Sequence, residues 1–395
     1  MSVVFVGSTV DRETLKTLCD ASVAGNKMEL GFMQGFADNG IRIMGISVEA
    51  HGMWHCNHKP LLIKGKHLHE GDLPIKTIPY INIPAIKQII IQYQIRKALE
   101  DALATDAFKN STIVVYNTMS IFIHPVLNVA KRYGVNAIAI IADLPIQEKK
   151  IIFRRMEDRK QISAIKMMSA IIPLTEHISK DFAPELPYCV VEAGCNPDDY
   201  EAKQVQVTGM SCNSVVFSGT LNQLSGIELI IDAMKKVKNP NIVLNIYGDG
   251  PLKSFVETAT KKSGNIRYHG RVSNDQMIEI QKKAGLLVCP RKRDDFTTRY
   301  TFPSKVLEYI CSGVPVLSNR LPGIPDEYTQ YINYVASESE SDWAYSIETI
   351  FQQEQYRKYA EKARSAREHV LMTKSWSQQV ERVLSQMKKQ GIEIT

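Results

Sequence analysis

A chain of 395 residues, 44% hydrophobic and 23% charged, is long enough to bury two cores, which excludes disordered and collagen-like classes. A net charge of +6, without a long basic run, fits an anionic ligand or an acidic lipid surface and does not call for nucleic acid. Seven scattered cysteines form no C-x-x-C pair and read as reduced thiols, and no run reaches the roughly 18–20 apolar residues of a membrane span, so a cytoplasmic protein is predicted.

Val3–Val6 is too short for a secretory leader and predicts a buried strand, closed by Gly7. Short apolar runs then alternate with amphipathic segments. Ile41–Val48, Ile113–Tyr116 and Ala137–Ile141 predict strands, while Met28–Asn39, Ile86–Ala104 and Val126–Tyr133 predict helices. Ile81–Ile91 is broken by Pro84, Lys87 and Gln88, so a buried or membrane-surface helix is its upper limit. Asp143 follows the 137–141 strand, either in a ligand cleft or as the N-cap of the next helix. That helix is predicted over Gln147–Met168, before an apolar run at Ala170–Leu174. The stretch Ala193–Ser214 holds Gly194, Asn196-Pro197-Asp198-Asp199 and Gly209, and is the expected interdomain linker.

After it the alternation restarts. Val215–Phe217, Ile242–Tyr247, Ile266–Tyr268 and Leu286–Cys289 predict strands, separated by helices at Ser225–Val237, Leu252–Lys262 and Ser273–Ala284. The first three strands lead into Gly219, Gly248 and Gly270, and the fourth into Pro290 and a basic loop, Arg291-Lys292-Arg293. Glycine at such a place lets backbone N–H groups approach a ligand. Strand alternating with helix predicts parallel sheets with right-handed crossovers. The expected fold class is therefore α/β, with two Rossmann-like doubly wound domains facing a cleft and ligands at the carboxyl ends of the strands. The expected division is 1–200 and 201–374, the first domain being completed by 375–395. The tail from Ser341 to Lys389 reads as helical, and Ser375-Trp376 precedes a last amphipathic helix at Ser377–Met387.

The stretch Thr301–Asn319 carries the most chemistry. Pro303 suits a first helical turn, Gly313 a position just past a helix end, and Val314–Leu317 a strand covered on both faces. Ser304 and Lys305 open the helix, and Glu308 lies one turn further on the same face. A helix N-terminus with a lysine in its first turn can hold a phosphate. A glutamate one turn deeper can accept hydrogen bonds from a ribose diol.

Five pieces in register, VVFSGTLNQLSGIELIIDAM at 215–234, NIYGDGPL at 245–252, IRYHGRVSNDQM at 266–277, LLVCPR at 286–291 and FPSKVLEYICSGVPVLS at 302–318, resemble the retaining glycosyltransferases of family four. That family has the GT-B fold, in which a C-terminal helix crosses back to the first domain. IIADLP at 140–145 and PLTEHISKDF at 173–182 are similar, more loosely, to its acceptor domain. The resemblance implies transfer of a sugar from a nucleoside diphosphate donor to an acceptor hydroxyl with retained configuration, independent of metal and without a cofactor. Such enzymes build surface polysaccharides or glycoconjugates on carbohydrate, lipid-linked or protein-linked acceptors. A peripheral contact with the inner face of a membrane is compatible with this.

Carried over residue by residue, Glu308 would hold the ribose, Ser304 and Lys305 the diphosphate, and Gly219 and Thr220 the donor phosphates. Arg271 and Val272 would line the base pocket, while Gly7, Gly248, Arg291, Arg299, Tyr300 and Phe302 complete the donor set. Asp143 and Lys305 are the candidate catalytic pair. The chain also departs from the family. Tyr300 stands where a sugar-contacting glutamate is usual, and Thr220 and Ser225 where an arginine and a lysine meet the diphosphate. The missing charge is expected from Arg291, Lys292, Arg293, Arg299 or Lys305. Five of nine histidines fall within 51–69, and His51 and His55 have i, i+4 spacing. A metal site and an ordinary surface loop are the alternatives to the preferred reading, an acceptor loop with His51, Trp54 and His55. No D-x-D motif is present. A catalytically inactive partner that binds nucleotide sugar or acceptor, and a nucleotide-sugar 2-epimerase, are the competing functions.

Overall fold

The structure is a computed structural model that describes residues 1–52, 60–84, 86–144, 152–201, 213–294 and 296–394, with 152–155 described by backbone alone. The chain divides into two compact units, Met1–Gly194 with Trp376–Thr395, and Cys195–Ser375.

Unit 1 contains strands β1 (Ser2–Gly7), β2 (Arg42–Ser47), β3 (Leu62–Ile63), β4 (His67–Glu70), β5 (Leu73–Thr77), β6 (Tyr80–Ile81), β7 (Thr112–Tyr116), β8 (Ala137–Ile141) and β9 (Ala170–Pro173). Seven form a sheet in the order β4-β5-β2-β1-β7-β8-β9, parallel throughout except for β4 against β5, and β3 pairs with β6. The helices here are α1 (Arg12–Thr17), α2 (Val23–Asp38), α3 (Ile86–Leu103), α4 (Ser120–Tyr133), α5 (Ile152–Ile165) and α6 (Glu176–Phe182). Every residue of β7, β8 and β9 is buried, as expected for parallel strands covered on both faces. α4 starts before Pro125, where the sequence places the helix after it, because a proline near a helix start removes few hydrogen bonds. The largest difference is between 60 and 81. The sequence reads residues 51–69 as a loop and assigns no strand up to 81, but the stretch forms four short strands. β4 is an edge strand with exposed His67 and His69, too polar to announce itself by hydropathy.

Unit 2 contains strands β10 (Ser214–Ser218), β11 (Val243–Tyr247), β12 (Ile266–Gly270), β13 (Leu286–Cys289), β14 (Val316–Ser318) and β15 (Asn333–Tyr334). They form one parallel sheet in the order β12-β11-β10-β13-β14-β15. The helices are α7 (Ile227–Lys236), α8 (Lys253–Lys262), α9 (Asn274–Lys282), α10 (Ser304–Cys311), α11 (Glu340–Ile350) and α12 (Gln353–Thr373). α7 starts at Ile227 rather than at Ser225. Asn222 and Ser225 close a capping box around one 3-10 turn, and Gly226 then adopts a left-handed φ of 73°.

Counting only the parallel strands of each unit in chain order, both sheets read 3-2-1-4-5-6. This is the doubly wound order, in which the chain reverses direction beside the first strand and opens a crevice there. The last helix, α13 (Trp376–Lys389), belongs to unit 1 and packs on α2. The Trp376 ring lies against Gly31 and Gly194, where no side chain would fit, and its centroid is 5.1 Å from that of Phe32.

Candidate functional site

In unit 2 the reversal falls between β10 and β13, and a cavity of about 290 Å³ opens at the carboxyl ends of those two strands. Its walls include Phe217 and Ser218 from β10, Cys289 to Arg291 from β13, Thr220 and Ser225 from the first loop, and Phe302 to Lys305 at the start of α10. α10 begins at this wall with Pro303 as its N-cap and no side-chain cap, so its positive end is available to an anion.

Lys305 is the main charge in the cavity. Its ammonium lies over the Phe217 ring, 5.4 Å from the centroid, and forms no hydrogen bond or ion pair among the described residues. Burial pulls its pKa below the ordinary lysine value, partly offset by Cys289 and Glu308. The same ammonium fills the volume that a Cβ on residue 219 would need. Gly219, at φ 142°, is therefore required twice, by its backbone and by its neighbour. Gly248, at φ 137°, packs its Cα against the Gly219 carbonyl. The Gly219 N–H donates to Tyr247 O at 2.9 Å, and the Leu221 N–H to Asp249 O at 2.9 Å, which ties the two glycine loops together.

Two supports were not legible from motifs. The Tyr309 hydroxyl, deep on α10, lies 3.0 Å from Ser218 Oγ and accepts from the Ser218 N–H at 3.1 Å, so α10 is pinned to the end of β10. Asn319 donates to the carbonyls of Pro290 (3.3 Å) and Arg291 (2.8 Å) while accepting from Trp343 Nε1 at 3.1 Å. That contact fixes the basic loop from below. An asparagine at a strand end beside an apolar core is the only sequence signal for it.

The remaining donor candidates scatter. Ser304, Thr220, Arg291, Phe302 and Lys305 line the cavity, whereas Glu308, Arg299 and Tyr300 do not. Arg291 donates to Thr301 Oγ1 at 3.0 Å. The Arg299 guanidinium sits 5.9 Å from the Tyr300 ring centroid. Arg293 and Lys292 are exposed, and Glu308 is half-buried. Arg271 and Val272 follow Gly270 at the same sheet edge, outside the cavity lining. Gly7 lies in unit 1, where its bare Cα makes room for the carboxylate of buried Glu29. That carboxylate accepts from the Ser8 N–H at 2.9 Å and from the Ser8 hydroxyl at 3.0 Å, and burial raises its pKa to about 8.

Asp143 is exposed just beyond β8. Asn117, at φ 64°, holds its backbone N–H at 2.9 Å and donates to its Oδ2 at 3.4 Å. His51 Nε2 lies 3.3 Å from Glu49 Oε2, and the buried Glu49 also pairs with Lys66 at 2.9 Å. Trp54 and His55 lie outside the described residues. His67 and His69 stand on β4, an edge strand, and among the described residues no group of His, Cys, Asp and Glu is arranged to hold a metal.

Residues 200–367 match the family described as Glycosyl transferases group 1. No curated protein sequence matches the chain. Among solved structures the chain is similar to HepE of Anabaena in complex with UDP, at 15% identity and a TM-score of 0.66, covering 98% of this chain and 100% of HepE. It is similar to sucrose-phosphate synthase of Thermosynechococcus elongatus, at 12% identity and 0.68, covering 99% and 100%. WaaG, a glycosyltransferase of lipopolysaccharide biosynthesis, matches at 15% and 0.64, covering 94% and 97%. The architecture is thus the GT-B fold, an α/β fold of Rossmann-like domains with parallel sheets.

Proposed function

We propose that the protein is a retaining glycosyltransferase of family four, moving a sugar from a nucleoside diphosphate donor to an acceptor hydroxyl in polysaccharide or glycoconjugate synthesis. The observation that carries this reading is the Lys305 ammonium, set without an acceptor among the described residues between the Gly219 loop and the start of α10. A diphosphate would complete that arrangement. Two unit charges ~4 Å apart attract by roughly 4 kcal/mol at intermediate dielectric. The family match over unit 2 and the UDP held by the similar HepE structure support the same donor class.

In this reading negative charge grows on the leaving diphosphate as the glycosidic bond breaks. Lys305, the α10 N-terminus and Arg291 would meet that charge, in place of the cations absent at Thr220 and Ser225. Glu308 would take the ribose, and Asp143 is the candidate group on the acceptor side. The reaction would need no divalent metal and no cofactor.

A panel of uridine, guanosine and adenosine diphosphates and their sugars tests this by thermal shift, followed by NMR of the product anomer in the presence of EDTA. At least one diphosphate should raise the melting temperature, and its sugar should yield a product of unchanged configuration. No shift with any of them would end the reading. The inactive-partner reading is favoured by one observation. Of the five candidate cations only Arg291 and Lys305 line the cavity, and Tyr300 brings no carboxylate. Nucleotide binding without turnover on any acceptor would select it. An epimerase would need acid and base groups around the sugar, and the described lining residues include no carboxylate or histidine.

A further inference from the structure

Half of the exposed large apolar side chains described in unit 1 fall within residues 61–93. Leu62 on β3 stands directly opposite Ile81 on β6, and both are exposed, as is Leu61 beside them. α3 begins five residues after Ile81 and packs against β6. One face of α3 is buried through Ile91, Ile95, Ala98 and Leu99, which accounts for its docking on the domain. Its other face presents Ile86, Ile89 and Tyr93, a helical stripe at i, i+3 and i+7, with Ile89 70% exposed and Tyr93 53% exposed. An exposed patch of this kind marks an interaction surface.

Charge identifies the occupant. From residue 50 to 69 and again from 73 to 99 the sequence contains no aspartate or glutamate. Lys64, Arg96 and Lys97 are exposed and form no ion pair among the described residues, and the Arg96 guanidinium sits 5.6 Å from the Tyr93 ring centroid. Two carboxylates lie nearby: Glu100, one turn beyond Arg96, is paired with Arg132 at 2.8 Å, and Asp20 accepts from the Gly52 N–H at 2.9 Å. The patch thus offers apolar side chains, one aromatic ring and an excess of positive charge, the pattern of a helix lying in a bilayer interface. Among the described residues no helix is long and apolar enough to cross a membrane.

We propose that this face of unit 1 binds the surface of an anionic bilayer, with α3 in the interfacial plane and Ile86, Ile89 and Tyr93 among the headgroups. The inference does not depend on the transferase reading, since it rests on residues of unit 1 alone, whereas the cavity is lined by residues of unit 2.

The test is co-sedimentation of the full chain with vesicles of phosphatidylcholine alone and of phosphatidylcholine mixed with phosphatidylglycerol. Binding to the anionic vesicles is expected, weakening with salt. Ile89→Glu should reduce it at least about tenfold, and Arg96→Gln with Lys97→Gln by about fivefold for each charge removed. All three positions are exposed, so the variants should fold, which circular dichroism would check. Absence of binding to either vesicle, or unchanged binding by Ile89→Glu, would overturn the proposal. So would light scattering that shows dimers lost in Ile89→Glu without any vesicle binding, because the patch would then join two copies of the chain.

Discussion

Lys305 combines three properties that are seldom tolerated together: it is partly buried, it lacks a protein acceptor among the described residues, and it crowds a glycine. Burial lowers its pKa, and a bound diphosphate, by favouring the charged form, would raise it again. The sign follows from linkage. Affinity is greatest where the free protein already carries the charge, and falls as pH rises through its lowered pKa toward the ordinary lysine value of 10.5. Lys305→Met should remove that dependence and weaken nucleotide binding about tenfold or more at neutral pH, as expected for loss of a charge-assisted hydrogen bond worth ~1.5–3 kcal/mol. Calorimetry in buffers of different ionisation heat measures both effects, and equal pH profiles for the two proteins would remove Lys305 from the site. The residue was legible in the sequence because it opens a helix after a proline. The cost of its position was not, because the partner that makes it costly, Gly219, is distant in the chain.

At the scale of elements, the sequence placed the central strands β1, β7, β8, β10 and β13 well because each holds an unbroken run of at least three apolar residues. It failed at β3 to β6, where strands of two to five residues leave no periodicity to read. It also passed over Glu29, a carboxyl on the buried face of α2 that holds the turn after β1 through Ser8. A glutamate inside the run Met28–Met33 was the available signal. With its pKa raised to about 8 from 4.5, the folded state holds a proton that the unfolded state releases. Stability therefore falls as pH rises between those values. The wild-type chain should lose roughly 3 kcal/mol between about pH 5 and pH 8 from this group, an order-of-magnitude figure. Glu29→Gln keeps the shape without the charge and should flatten that slope in urea titrations. A slope that survives the substitution would mean the carboxyl ionises without penalty.

At the scale of the molecule, the chain interrupts one unit to build the other. α13 follows unit 2 in sequence but belongs to unit 1, where Trp376 is 7% exposed and Gln379 donates to the Ala193 carbonyl at 2.6 Å. Gly31 and Gly35 on α2 admit this helix so closely that a methyl at either would strike Trp376 or Val380. Such a seam stabilises unit 1 alone. Trp376→Ala removes a large buried ring and should cost about 3–5 kcal/mol, because the cavity it leaves is walled by helix backbone and cannot collapse. The loss should be local, with faster hydrogen exchange in β1, β7 and β8 while β10 and β13 keep their protection. Nucleotide affinity should be unchanged, since every residue lining the cavity belongs to unit 2. If exchange accelerated equally in both units, they would unfold as one cooperative body. The division seen in the packing would then not be a division in stability.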